Sequence, residues 1–73
     1  MSVMKENDSF QLSKPTEAEV IGQHTAVTLP AGMAVTVVLV FGDPASPEAY
    51  EVEAYLPETD TYALATIPAR DIY

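Results

Sequence analysis

The chain has 73 residues, of which 48% are hydrophobic, and 11 Asp and Glu side chains against 3 Lys and Arg give a formal net charge of −8. This length allows one small domain, and the apolar share is typical of a folded chain rather than a disordered one. The excess of carboxylates repels phosphate backbones and anionic lipids, so we expect neither nucleic-acid nor membrane binding.

The first nine residues, MSVMKENDS, are polar and show no hydrophobic periodicity. They predict a disordered N-terminal tail, followed by a single small β domain over residues 10–73. Phe10 and Leu12 enclose one polar residue, and this short alternation allows a first strand at the start of the domain.

Residues 13–23, SKPTEAEVIGQ, fit two different structures. Thr16 and Glu19 have the spacing of a capping box, and Gly22 would end the single helical turn that the box begins. Alternatively, Ala18, Val20 and their neighbours belong to an extended segment. Because so short a helix is marginal, we expect a loop or one turn.

Two segments in the middle of the chain are rich in β-forming side chains. Residues 25–29, TAVTL, compete with residues 10–12 for the place of the first strand. Residues 33–41, MAVTVVLVF, form the longest β-branched run, and both of its faces are largely apolar, as in a central strand covered on two sides. Strict alternation places these side chains on one face: Met33, Val35, Val37, Leu39 and Phe41.

The next strand has one apolar and one polar face. Residues 42–49 hold two prolines and predict a loop too long for a tight hairpin turn. Residues 50–56, YEVEAYL, then alternate, so Glu51, Glu53 and Tyr55 lie on the wet face opposite Tyr50, Val52 and Ala54.

The chain closes with a turn, a strand and a second turn. Residues 57–60, PETD, are an acidic turn, and residues 61–67, TYALATI, are the last long strand. Residues 68–71, PARD, predict a single 3-10 turn. Four or five short strands must curve strongly to remove their edges, so the sequence favours an all-β, small antiparallel barrel of four to five strands with a short terminal 3-10 turn. A flat sheet packed on one helix is the alternative, but no segment predicts a helix long enough to cover it.

Several short motifs from residue 29 to residue 72 recur together in one family. The pattern L-x-A-G-x-x-x-T-V-V begins at Leu29 and is followed by A-Y-E-V-E at residues 49–53, A-L-x-T-[LI] at residues 63–67 and P-A-x-[DE]-[LI] at residues 68–72. This arrangement resembles the small bacterial proteins grouped as domain of unknown function 4926.

The resemblance implies a barrel of the Src-homology-3-like type, in which a 3-10 turn near the end of the chain is habitual. The family has no established activity and no catalytic residues, so the resemblance implies no site. This chain departs from the family pattern at Val35, where the family usually has a glycine, and we therefore expect a more regular strand at that point.

The sequence contains no catalytic, cofactor or metal signature. His24 is the only histidine, and no serine or acid stands in recognisable relation to it. The absence of cysteine excludes disulfides and thiolate metal sites, and the acidic residues do not follow a calcium-loop pattern. We therefore expect no enzyme activity, no cofactor and no metal.

Folding does not account for the polar face of residues 50–56, for the acidic turn over residues 57–60, or for the acids Asp43 and Glu48 in the loop over residues 42–49. We therefore look for function there. Tyrosines beside acids are typical of protein-docking surfaces, because tyrosine adds apolar area with a polar tip. The candidate partner-binding residues are Glu51, Glu53, Tyr55, Asp43, Glu48, Glu58 and Asp60.

The sequence thus predicts a small acidic, non-enzymatic protein–protein interaction module with a protein partner, and the net charge of −8 favours a basic one. Two alternatives stay open: an antitoxin or immunity-type partner that neutralises a basic toxin, and a homo-oligomeric structural module. In the second alternative, the two-faced apolar strand over residues 33–41 packs against another copy. No apolar run approaches the roughly 20 residues that span a bilayer, and the N-terminal residues lack the apolar core of a signal peptide, so we expect a cytoplasmic location.

Overall fold

The computed structural model describes residues 3–72. Met1 and Ser2, which open the predicted tail over residues 1–9, and Tyr73, which closes the predicted domain, lie outside the described residues. Within the described part the chain forms six strands and a terminal 3-10 turn: β1 (Ser9–Gln11), β2 (Thr16–Val20), β3 (Thr25–Leu29), β4 (Ala34–Asp43), β5 (Ser46–Leu56), β6 (Thr61–Pro68) and the turn Ala69–Asp71.

All six strands belong to one antiparallel sheet in the order β1-β4-β5-β6-β2-β3. The sheet is strongly curled into a half-barrel, which confirms the all-β class and the terminal 3-10 turn. The predicted count of four to five strands is wrong, because the described residues form six. The sheet is a half-barrel rather than the predicted barrel, since its two edge strands do not meet. Among residues 3–72, β1 pairs only with β4 and β3 only with β2, so the curled sheet keeps an open side.

Residues 16–20 form β2, so the expectation of a loop or one turn is wrong. Ala18 and Val20 are buried while Glu17 and Glu19 are exposed, which is the two-residue period of a strand. β2 pairs with β3 on one side and β6 on the other, and this pairing outweighs the capping-box pattern. Both segments that competed for the first strand are strands.

The connection from β4 to β5 is a tight hairpin rather than the expected long loop. Asp43 pairs directly with Ser46, and the Asp43 side chain accepts a hydrogen bond from the Ala45 amide at 2.9 Å. Gly42, with φ of +88°, adopts a conformation that side chains disfavour and lies at a register shift. The prolines at positions 44 and 47 are accommodated in and beside this turn.

A bulge at Val38 interrupts the alternation of β4. Val37 pairs with Val52 and Leu39 with Glu51, so one extra residue stands on the β4 side. Beyond the bulge the strand reverses its faces: Leu39 is 40% exposed and Phe41 38% exposed. The expectation that both belong to the face of Val37 is therefore wrong, although the strand is regular at Val35, as expected.

The core lies on the concave inner face of the sheet. The faces predicted for β5 are confirmed, since Tyr50 and Val52 are buried and Glu51 between them is not. On β6, Ala63 and Ala65 are buried in the same alternating way. The Tyr50 hydroxyl accepts a hydrogen bond from the Met4 amide at 3.3 Å, which satisfies a polar atom in a fully buried side chain. No helix among residues 3–72 is long and apolar enough to cross a membrane.

Candidate functional site

One row of side chains crosses the whole sheet on its convex outer face. At its centre Glu53 pairs with Leu64, and Leu64 pairs with Glu19 on the next strand. With strands about 4.8 Å apart, the two carboxylates stand on either side of Leu64 at about 10 Å from each other. From one edge to the other the row contains Ser9, Thr36, Glu53, Leu64, Glu19 and Ala26.

A third carboxylate lies in the adjacent row. Glu51 is two residues before Glu53 on β5, about 7 Å away by strand rise, and it pairs with Leu39 on one side and Thr66 on the other. Both glutamates of β5 are half-buried among these neighbours. We call the surface formed by Glu19, Glu51, Glu53, Leu64 and Leu39 the acidic face.

The acidic face has no counter-charge within the described part of the chain. The one ion pair among residues 3–72 joins the Lys14 ammonium to Asp71 at 3.3 Å, next to the terminal 3-10 turn. Three like charges therefore share one face with apolar side chains and without a cation. This arrangement gives the fold no stability, because like charges repel one another across a sheet.

An aromatic pair adjoins the acidic face at the end of β5. Tyr55 and Tyr62 are cross-strand partners with ring centroids 5.2 Å apart, and they are 44% and 45% exposed. The Tyr55 hydroxyl donates a hydrogen bond to the Asp60 carboxylate at 2.8 Å. This bond to a carboxylate is the main reason that the pKa of Tyr55 is raised, with smaller contributions from desolvation and from Tyr62. Ile21, 49% exposed, donates its amide to the Tyr62 carbonyl at 2.9 Å and extends the apolar surface.

The seven predicted partner-binding residues do not form one site. Tyr55 and Asp60 are joined by a hydrogen bond at one end of β5, with Glu58 exposed in the same turn. Asp43 and Glu48 lie at the other end, in the β4–β5 hairpin. At about 3.4 Å per residue, seven residues of strand separate Glu48 from Tyr55 by about 24 Å. Glu51 and Glu53 lie between the two groups.

Three residues of the acidic face were not predicted as site residues. The sequence pattern places Glu19 in a loop or turn and Leu39 on the face of Val37, and it gives Leu64 no role in binding. The alternation T-E-A-E-V in residues 16–20 is a signal that would have placed Glu19 on a wet strand face. The bulge that turns Leu39 outward has no comparable signal in the sequence.

The concave side of the sheet carries a groove of about 430 Å³ at its open side. Val20, Val27 and Leu29 line it from β2 and β3, and Leu56 and Pro57 line it from the end of β5 and the turn that follows. No group of three or more His, Asp or Glu side chains placed to hold a metal ion occurs in residues 3–72.

The chain matches no protein-family model, no curated protein and no solved structure. The resemblance to the domain of unknown function 4926 family therefore stays a prediction. The feature that indicates a function is the outer face of the sheet, where Glu19, Glu51 and Glu53 lie together.

Proposed function

We propose that this protein is a non-enzymatic interaction module that binds a basic protein partner through the acidic face. The observation that carries the proposal is the set of Glu19, Glu51 and Glu53, which share one sheet face with exposed apolar side chains and pair with no cation in the described residues. A partner that brings Lys or Arg to this face supplies the missing charge.

The composition of the face suits protein binding. Leu39 on the acidic face, and Tyr55 and Tyr62 next to it, expose apolar and aromatic surface area. Burial of such area contributes most of the binding free energy at protein interfaces. The carboxylates between them add orientation and speed, since complementary charge steers a partner during encounter. The formal net charge of −8 also attracts a basic partner, and it does so over a longer range than the face alone.

We also propose that the fold is an open relative of the Src-homology-3-like barrel. The strong curl of one antiparallel sheet and the 3-10 turn over Ala69–Asp71 support this relation. The open side between the two edge strands, β1 and β3, is the main difference from a closed barrel.

Affinity capture with co-expressed neighbouring genes tests the proposed function. The tagged wild-type chain is expected to retain a basic protein, and added salt is expected to release it because the contact is charge-assisted. The double charge reversal E51K/E53K is expected to abolish retention. If the wild-type chain captures no protein, or if the reversal leaves capture unchanged, the proposal is wrong.

A matched control changes the same net charge away from the acidic face. Glu6 and Glu48 are exposed near the β4–β5 hairpin, so E6K/E48K raises the net charge by the same amount. We expect this variant to keep the partner. Equal losses in both double variants would show that only overall charge matters.

A further inference from the structure

The edge strand β3 lies in a part of the chain without formal charge. Residues 20–42 contain no Asp, Glu, Lys or Arg, although the chain carries 11 acidic side chains elsewhere. β3 is the last strand of the sheet and pairs only with β2 within the described residues. Proteins usually protect such an edge with charged side chains, and β3 has none.

The hydrogen-bond pattern fixes which backbone groups of β3 face outward. The Ile21 amide donates to the Tyr62 carbonyl on β6. Because backbone N–H and C=O groups alternate in direction along a strand, those of every second β2 residue point towards β6, and those of the others, including Ala18, point towards β3. Ala18 pairs with Val27, so the backbone N–H and C=O of Val27 form hydrogen bonds with Ala18 inside the β2–β3 hairpin. The N–H and C=O groups of Ala26 and Thr28 point to the open edge.

We propose that a second copy of this chain pairs with β3, strand to strand and antiparallel, around a two-fold axis at Val27. In this register Val27 lies opposite Val27 of the second copy, and Ala26 lies opposite Thr28. Both Ala26–Thr28 pairs have outward-facing groups, and each pair exchanges two backbone hydrogen bonds. The central Val27 pair is of the non-hydrogen-bonded kind, in which side chains approach most closely.

Both faces of β3 fit this arrangement. On the inner face, half-buried Val27 borders the apolar groove. In the dimer, Val27 of the second copy packs against it and continues the row of apolar side chains formed by Ala18 and Val27. On the outer face the side chains of Ala26 and Thr28 are small and uncharged. The nearest carboxylates, on β2, stand about 14 Å from those of the second copy by strand spacing, which exceeds the Debye length of about 8 Å at physiological salt.

The other edge of the sheet does not offer the same surface. β1 has only three residues, and Lys5, Glu6 and Asp8 precede it closely. The free part of β4 carries the bulge at Val38, and bulges oppose edge pairing. A basic strand from another protein gains no charge complementarity from an uncharged β3, so a second copy is the occupant that the edge fits best.

Sedimentation equilibrium and amide hydrogen exchange on the full chain test the proposal. We expect a dimer whose dissociation constant falls as salt is added, opposite to the salt effect expected at the acidic face. The amides of Ala26 and Thr28 should become protected as the protein concentration rises, while the Val27 amide is protected throughout. A chain that stays monomeric up to millimolar concentration overturns the proposal.

Matched variants at one position separate pairing from folding. Proline at position 26 removes the outward N–H and keeps the bonds to β2, a placement that edge strands tolerate. A26P removes two of the four bonds and should raise the dissociation constant about 30-fold, whereas A26V keeps the N–H and should still dimerise. If A26P fails to fold, T28E serves instead, since it adds a further negative charge to each side of a seam between two chains that already carry −8. The proposed register is refuted if A26P dimerises as tightly as the wild type, or if the dimer forms through a strand other than β3.

Discussion

Neutralising Glu53 is expected to stabilise the fold while weakening partner binding. Glu53 lies about 7 Å from Glu51 and about 10 Å from Glu19 by strand geometry, and none of the three is ion-paired in the described residues. In water these two repulsions amount to about 0.6 and about 0.4 kcal/mol. At physiological salt, a Debye length of about 8 Å reduces their sum to about 0.4 kcal/mol.

Urea unfolding of E53Q at low and at physiological salt measures this effect. We expect the free energy of unfolding to rise by about 1 kcal/mol at low salt and by about 0.4 kcal/mol at physiological salt. The melting temperature should rise by about 2–3 °C in the second condition. Glu58, exposed in the β5–β6 turn and outside the two outer-face rows, provides the control, and E58Q should change stability less. A loss of stability in E53Q, or a gain that does not depend on salt, would show that Glu53 has a structural role.

Four further substitutions test separate parts of the structure. Leu39→Ala should cost about 1 kcal/mol, because Leu39 faces outward after the bulge and is only partly covered, whereas Val37→Ala, in the core, should cost about 2 kcal/mol in the same chemical denaturation assay. Asp60→Asn should lower the pKa of Tyr55 towards its ordinary value, as ultraviolet titration of tyrosinate would show. Since the folded-state pKa of Tyr55 is raised, its bond contributes stability below the ordinary tyrosine pKa and loses it as the pH rises through the folded value. Gly42→Ala should destabilise the hairpin, because φ is +88° and a Cβ would stand 2.9 Å from the Glu48 side chain.

Two outcomes would contradict this reasoning, and Gly32 provides a control for Gly42. A cost of several kcal/mol for Leu39→Ala would mean that β4 alternates without a bulge. An unchanged alkaline stability profile in Tyr55→Phe would mean that the bond to Asp60 contributes nothing to folding. Gly32 has the same φ of +88° and open space around it, so Gly32→Ala should cost less than Gly42→Ala.

The sequence predicts the second half of the fold well because local alternation and long-range pairing agree there. In β5 the order of Tyr50, Glu51 and Val52 assigns inside and outside without ambiguity, and the structure confirms it. β2 was missed because a capping-box spacing and a strand period overlap in the same five residues. Pairing with β3 and β6 decides between them, and such non-local contacts are invisible in a single segment.

The candidate site could be predicted only in part for the same reason. Glu51 and Glu53 follow from the period of one strand, but their relation to Glu19 depends on the sheet order that places β6 between β5 and β2. The bulge at Val38 reverses the faces of β4 and brings Leu39 to the acidic face. A one-residue shift of this kind changes every later side chain, and composition gives no warning of it.

If a basic partner binds the outer face of β4, β5 and β6, titration of the captured partner into isotope-labelled protein should change the amide chemical shifts of that face. We expect the largest changes at Glu51, Glu53 and Leu64, and we expect them to diminish with added salt. Changes confined to the concave groove or to the β4–β5 hairpin, with the acidic face undisturbed, would show that the partner binds elsewhere.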